Sequence, residues 1–221
     1  MNFRFTDSTG GKSTGAFLSR NLGSHVGDDL DSVEANRKLL GEEIGRPIQF
    51  MNQVHGNTVV FIEEHTQTPP TADALVTTNP HIALAVMVAD CIPLLLANQE
   101  SIAAVHVGRK GLLNGVARSA LSAMRDLDSS PISAIIGPSI CGTCYEVSQD
   151  IFEEVTSVFP RSKSQTKHGG FALDLAAALS YELASDGVRV LDRSSCTVED
   201  RSLYSYRRDG VTGRQVGLIW Q

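Results

Sequence analysis

Between Thr71 and Val107 the chain holds Val- and Ile-rich runs with almost no helical pattern between them: Ala74–Thr77, Ile82–Val88, Ile92–Leu96 and Ile102–Val107. Short apolar runs of this kind, bounded by turn residues, read as strands. Strands that follow one another so closely do not fit a regular alternation of strands and helices. The stretch therefore predicts a mixed or antiparallel sheet and an α+β fold. Further strands are expected at Phe3–Phe5, Val59–Ile62, Ile132–Ile136, Val188–Leu191 and Gln215–Trp220.

Helices are expected where apolar residues recur at spacings of three and four. Val33, Leu39 and Leu40 follow Ser32 in a stripe that stops near Gly45. Leu113, Val116, Ala120, Met124 and Leu127 form a second stripe. Val147, Ile151, Val155 and Val158 form a third, with Ser148 as a cap, and Leu175, Ala178, Leu179 and Leu183 form a fourth, stopped by Gly187. The loop signal at Asp126–Pro131 leads into a strand of the same pattern, so one domain over residues 1–221 is expected. A chain of 221 residues, 42% of them hydrophobic, buries roughly 70% of the surface its unfolded form exposes and needs no metal or disulfide to stand.

Charge narrows the function classes. With 19 Lys and Arg against 25 Asp and Glu, the net charge of −6 argues against a nucleic-acid partner or an anionic membrane surface. The most apolar stretch, Ile82–Ala97, is too short to span a bilayer and contains Asp90 and Pro93. MNFRFTDSTGGKSTG at the start lacks the apolar centre of a secretion signal. The four cysteines then read as reduced thiols, and a cytoplasmic protein is expected.

Most short motifs have an ordinary reading. GGKST at 10–14 lacks the glycine that a phosphate-binding loop needs five residues before Gly11, where Thr6 stands. The adjacent acid pairs, such as Asp28-Asp29 and Glu153-Glu154, point to different faces and do not converge on one atom. Cys141-Gly-Thr-Cys144 is a single CxxC without a second pair, read as structural thiols lining a turn; Cys141→Ala is expected to leave metal content unchanged.

His55, Cys91 and His106 stand apart. Each carries a lone pair at a predicted strand end with Gly or Pro close by, where a sheet can deliver side chains rigidly into one cleft. Two His and one Cys suit a catalytic zinc, with the fourth tetrahedral position left for water or substrate. A core thiol and two unrelated turn histidines would give the same spacing. Arg207, Arg208 and Arg214 in SYRRDGVTGRQ are read either as an anion clamp or as hairpin charges around Asp209-Gly210.

The ordered set of motifs resembles the YfiH family, also described as laccase-like multicopper polyphenol oxidases, peptidoglycan editing factors and purine nucleoside phosphorylases. The resemblance is carried by QVHG at 53–56, ADCIPLLL at 89–96, AAVHVGRKGL at 103–112, IGPSICGTCYEV at 136–147 and SYRRDGVTGRQ at 205–215, and it spans Phe5 to about Leu218. It implies an α/β/β/α layered sandwich with mixed sheets. It also implies a metal site, and catalytic residues, at His55, Cys91 and His106. The family pattern His-Ala-Gly-Trp-Arg-Gly is replaced here by His106-Val-Gly-Arg109-Lys110-Gly111, which keeps a positive charge but loses the stacking ring and the bidentate fork.

The resemblance implies a zinc-dependent purine nucleoside phosphorylase acting on adenosine, inosine or methylthioadenosine with phosphate, and adenosine deamination beside it. Arg109, Lys110 and Arg208 are the expected substrate-binding cations. Two other readings stay open: a cysteine hydrolase of peptidoglycan precursors with Cys91 as nucleophile, and a metal-binding protein without turnover. Copper is the weaker cofactor expectation, because a laccase needs several copper centres and the chain has six His. The sequence is silent on oligomeric state.

Overall fold

The computed structural model describes residues 1–192 and 195–221. Along the chain lie β1 (Asn2–Phe5), α1 (Leu30–Ile44), β2 (Ile48–Gln49), β3 (Val59–Phe61), β4 (Ala74–Thr77), β5 (Ala83–Val88) and β6 (Ile92–Ala97). They are followed by β7 (Ile102–Val107), α2 (Arg109–Leu113), α3 (Val116–Leu127), β8 (Ser133–Ile136), α4 (Gln149–Val158), β9 (Lys163–Gln165) and β10 (Phe171–Leu173). The chain ends with α5 (Leu175–Ser185), β11 (Arg189–Asp192), α6 (Tyr206–Asp209) and β12 (Gln215–Trp220).

Among the described residues the strands build two principal sheets. One runs in the order β1-β12-β5-β2, the other β11-β8-β6-β7-β4-β3, and a small hairpin joins β9 to β10. Both sheets are mixed. The β6, β7 and β4 ladder is antiparallel while β3 and β11 pair in parallel at its edges, as the dense strand run between Thr71 and Val107 predicts.

Strand alternation assigns the layers. On β5, Leu84, Val86 and Val88 face one way and pack with Leu75, Leu95, Ala104 and Ile135 of the other sheet. Ala83, Ala85 and Met87 face the other way, toward Leu40 of α1 and Leu22. Successive side chains of a strand point to opposite faces, so one strand serves two cores. The far face of the six-stranded sheet carries Leu94, Leu96, Val105 and Ile136 against Val116, Leu121 and Met124 of α3 and Leu179 and Leu183 of α5. The order is helix, sheet, sheet, helix: the α/β/β/α sandwich. Leu95 is fully buried between the sheets, and removing such a side chain costs about 2–5 kcal/mol.

Several boundaries differ from the sequence pattern for local reasons. Helix α1 begins before Ser32 because the Asp29 carboxylate accepts the Ser32 N–H at 3.0 Å and takes the N-cap. The stripe from Leu113 to Leu127 is broken into α2 and α3 by Gly115, whose φ of 73° lies in the left-handed region. Ser148 stands at the N-cap of α4, but its hydroxyl makes no capping bond. Residues 206–209 form a short helix rather than a hairpin turn. Among the described residues no helix is long and apolar enough to cross a membrane.

Candidate active site

Three separate segments deliver the triad. His55 lies in the loop between β2 and β3, Cys91 in the turn between β5 and β6, and His106 near the end of β7. The β6–β7 register pairs Pro93 with His106, which places Cys91, two residues earlier, at the same end of the sheet. The His55, Cys91 and His106 donor atoms all lie within 4.8 Å of one another. Cys91 Sγ is 3.9 Å from His55 Nε2, and the two imidazoles meet edge to face with centroids 4.7 Å apart.

One buried carboxylate holds both histidines. Asp73, at the start of β4, is fully buried. Its oxygens accept the backbone N–H groups of Val54 at 3.2 Å, His55 at 2.9 Å and Gly56 at 2.7 Å. The same carboxylate accepts from His106 Nδ1 at 2.8 Å. With Nδ1 donating, the lone pair of His106 sits on Nε2, the tautomer that a metal-ligating histidine needs. Those three N–H bonds also fix the loop that puts His55 at φ 60°, a costly conformation for a residue with a side chain.

Asp90, beside Cys91, has φ 96° and is secured in the same way. Its carboxylate accepts the Arg207 N–H and the Thr197 hydroxyl, both at 2.6 Å. Gly108 closes the cradle: a Cβ there would stand 3.0 Å from Cys91 Sγ and 3.0 Å from His55 Cδ2.

The electrostatics follow from this packing. Burial opposes ionisation of Asp73, but the His106 hydrogen bond and the N–H groups of Gly56 and Val54 outweigh it and hold the carboxyl below its ordinary range. Burial raises the Cys91 thiol, yet hydrogen bonds from His106 and His55 pull it down to about 6. Burial lowers His106, while Asp73 and Cys91 raise it to about 9. Thiol and imidazole thus each favour the other's charged form, and a cation bound at the triad would take the place of a proton there. Two imidazoles and a thiolate within reach of one point fit zinc or copper.

The triad opens on a cavity of about 580 Å³, a size suited to a small ligand. His25, Gln53, Tyr145, Tyr206, Arg207 and Arg214 line it, with Met87 and Val88 supplying apolar wall. Neither Arg109, Lys110 nor Arg208 is among the lining residues. Arg109 pairs with Glu154 at 3.1 Å, and Lys110 is exposed on α2. Arg208 spends its guanidinium on the carbonyls of Thr197 at 2.6 Å and Leu203 at 2.7 Å and on the Asp209 carboxylate. Arg207 and Arg214 take the positions at the cavity instead.

Sequence reasoning missed Asp73, although a single acid inside the run Ala72-Asp73-Ala74 was a readable signal of a buried charge with partners. It also missed His25, which tertiary folding alone brings to the cavity wall.

The multi-copper polyphenol oxidoreductase laccase family matches residues 2–221. A purine nucleoside phosphorylase of Corynebacterium glutamicum is 42% identical over 98% of this chain and 92% of its own length. Purine nucleoside phosphorylase YfiH of Escherichia coli is 34% identical over 96% of this chain and 90% of its own. Among solved structures, a Neisseria meningitidis protein of family DUF152 superposes with a TM-score of 0.91 at 37% identity, over 99% of this chain and 93% of that one. A YfiH protein of Bacillus licheniformis gives 0.89 at 27% identity, over 98% and 91%. The fold, the ordered motifs and relatives matched along almost the whole length agree, and the chain belongs to the YfiH family of multi-copper polyphenol oxidoreductase laccases.

Proposed function

We propose that this chain is a purine nucleoside phosphorylase working with zinc held by His55, Cys91 and His106, with adenosine or inosine and inorganic phosphate as substrates. The observation that carries the reading is the cavity in which that triad meets two arginines and two tyrosines. Relatives that carry the phosphorylase name along nearly their full length support it. Bound at the triad, zinc supplies a Lewis acid that stabilises developing negative charge.

The protein's own groups do the rest. Arg207 and Arg214 each hold a main-chain carbonyl with one guanidinium nitrogen and present the remaining donors for phosphate. Tyr145 and Tyr206 offer rings against which a purine stacks. Arg109 stands by the Tyr145 hydroxyl and favours its ionised form, while Arg208 donates to the carbonyls of Thr197 and Leu203 in the segment before Arg207. In the reaction a phosphate oxygen bonds to the anomeric carbon as the bond to the purine nitrogen breaks. Hydrogen phosphate brings one proton, which must finish on the departing base. His25 is suited to relay it: burial first, then Arg214, Arg37 and His106, hold its pKa below the ordinary value, so the imidazole is neutral and has a free nitrogen.

The test is release of base from adenosine and inosine by zinc-loaded protein, with and without phosphate. Phosphate-dependent release with ribose 1-phosphate as co-product is expected. Conversion of adenosine to inosine without phosphate would make the site a deaminase, and a zinc-loaded protein inert toward both would overturn the enzyme reading.

The contact between Cys91 and His55 favours one second reading, a cysteine hydrolase of amides or peptidoglycan precursors. A metal-saturated thiolate is a poor nucleophile. Protein that is metal-free as isolated, with Cys91 alkylating at half its maximal rate near pH 6, would favour the hydrolase.

A further inference from the structure

The triad uses only one of the four cysteines. Cys141 and Cys144 flank a tight turn after β8, in which the N–H groups of Cys144 and Tyr145 both donate to the Cys141 carbonyl at 3.1 Å. Gly142 lets this turn press against the start of α5: a Cβ there would stand 2.7 Å from Ser164 Oγ and 2.8 Å from Asp174 Cβ. Cys196 arrives from the segment after β11, distant in sequence. A parallel bridge between Ser139 and Cys196 brings it in, with Ser139 N donating to Ser195 O at 3.0 Å and Thr197 N to Ser139 O at 3.1 Å.

The three Sγ atoms all lie within 4.8 Å of one another. Zinc–sulfur bonds of about 2.3 Å put the sulfurs of a tetrahedral site about 3.8 Å apart, so the thiols stand near ligating distance already. The Cys141 N–H points at Cys196 Sγ at 3.5 Å, a donor aimed at sulfur of the kind that steadies a thiolate ligand. A carboxylate stands beside the three thiols rather than among them: Glu199 Oε1 lies 3.9 Å from Cys144 Sγ and 3.0 Å from Lys167 Nζ, and a small shift would bring it in as the fourth donor. Cys141 and Cys196 also line an open cavity of about 720 Å³, which is a path of entry.

We propose that Cys141, Cys144, Cys196 and Glu199 form a second, structural site for a thiophilic divalent cation, zinc above all, distinct from the His55–Cys91–His106 centre. Four protein donors leave no open position, which is the pattern of a structural and not a catalytic site. Cys196 thereby reverses the expectation drawn from the isolated CxxC, that Cys141→Ala leaves metal content unchanged.

The site has a consequence for the first one. It ties residues 139–145 to residues 196–199, and both segments shape the active cavity. Ile140 and Tyr145 line that cavity, and Ile140 N donates to Asp90 O at 2.9 Å. Thr197 holds the Asp90 carboxylate next to Cys91. A cation at the thiols clamps the wall of a cavity it does not itself enter.

The test uses the full chain carrying Cys91→Ser, which disables the first centre, compared with the same chain also carrying Cys144→Ser. After zinc loading and dialysis, the Cys91→Ser protein is expected to keep about one zinc per chain and the double variant none. Cobalt in place of zinc should give sulfur-to-cobalt charge-transfer absorption in the first protein and not in the second. Circular dichroism checks that both are folded. In the folded Cys91→Ser protein, zinc should slow amide exchange at 139–145 and 195–200 by about tenfold or more. Equal zinc in the two variants, no cobalt–thiolate absorption, or a Cys141–Cys144 disulfide that forms in place of metal binding would each overturn the proposal. The zinc lost between the unaltered protein and Cys91→Ser reads the first centre separately.

Discussion

The two donor clusters are built on opposite principles. Cys91 and His106 hang on strand ends, His55 on a loop fastened by the fully buried Asp73 carboxylate, and all three face a cavity. Cys141, Cys144 and Cys196 are half-buried thiols on loops, fastened to the rest of the protein by main-chain bonds. A sheet can hold three donors rigid while leaving a fourth position open. Loops hold a donor set only when the set closes on itself, which is the part given to Glu199. The thiols respond in opposite senses. Cys91 is pulled down to about 6, its two imidazole neighbours outweighing burial. Cys144 is pushed up to about 12 by burial and by the adjacent Cys141 and Cys196. Burial raises Cys141 too, yet hydrogen bonds with Thr143, Cys196 and Cys144 pull its thiol below the ordinary value, so without a cation that cluster favours one charge and suppresses the next.

The sharpest way to break the contrast is Asp73→Ala. It strands three backbone N–H groups and His106 without their acceptor, and is expected to cost about 3–5 kcal/mol in denaturant unfolding. Metal affinity at the first centre should fall about 10–100-fold in the same variant. Zinc at the three thiols should be unaffected, and a loss there would mean that the clusters are not independent.

Arg207→Ala comes next. Losing a charged donor at the cavity should raise KM for phosphate about 10–100-fold, from about 1.5–3 kcal/mol of binding. Arg208→Ala should instead lower the unfolding midpoint and leave that KM within about threefold, because its donors serve Thr197 and Leu203. A phosphate defect in Arg208→Ala alone would restore it as the anion contact.

Gly108→Ala tests the cradle with a single methyl. Its φ of −85° suits any residue, so the strain falls on Cys91 and His55. Metal affinity at the first centre should drop about tenfold, read by competition with a chromophoric chelator. The smallest effect is expected for Arg118→Ala on α3. Its ion pair with Glu182, 3.3 Å long and largely exposed, contributes no more than about 0.5 kcal/mol, and metal content at both clusters should not move.

Much of this fold could be read along the chain. The Val- and Ile-rich runs marked the central strands to within a residue, and the stripe from Val116 to Met124 marked the helix that covers them. Elements of two or three residues, such as β2, β9 and β10, are too short to carry a period and were not legible. His55, Cys91 and His106 stood out as lone-pair side chains beside Gly or Pro, but spacing alone left them open, and the resemblance to the family singled them out. The cations were not legible: Arg207, Arg208 and Arg214 are alike in sequence and all three donate to main-chain carbonyls, and only tertiary packing decides that Arg207 and Arg214 also meet the cavity.

Composition and periodicity were enough to determine a mixed-sheet α+β chain, and they left His55, Cys91 and His106 as candidates that only the resemblance to a family singled out. These are local properties, set by which side chains can alternate across a strand or repeat along a helix. Long-range pairing decided the rest. It joined Asp73 to both His106 and the His55 loop, carried His25 to the cavity wall, and set Cys196 beside the CxxC across 55 residues of chain. No local pattern encodes such meetings, because each depends on which sheet edges and loops the whole core brings together.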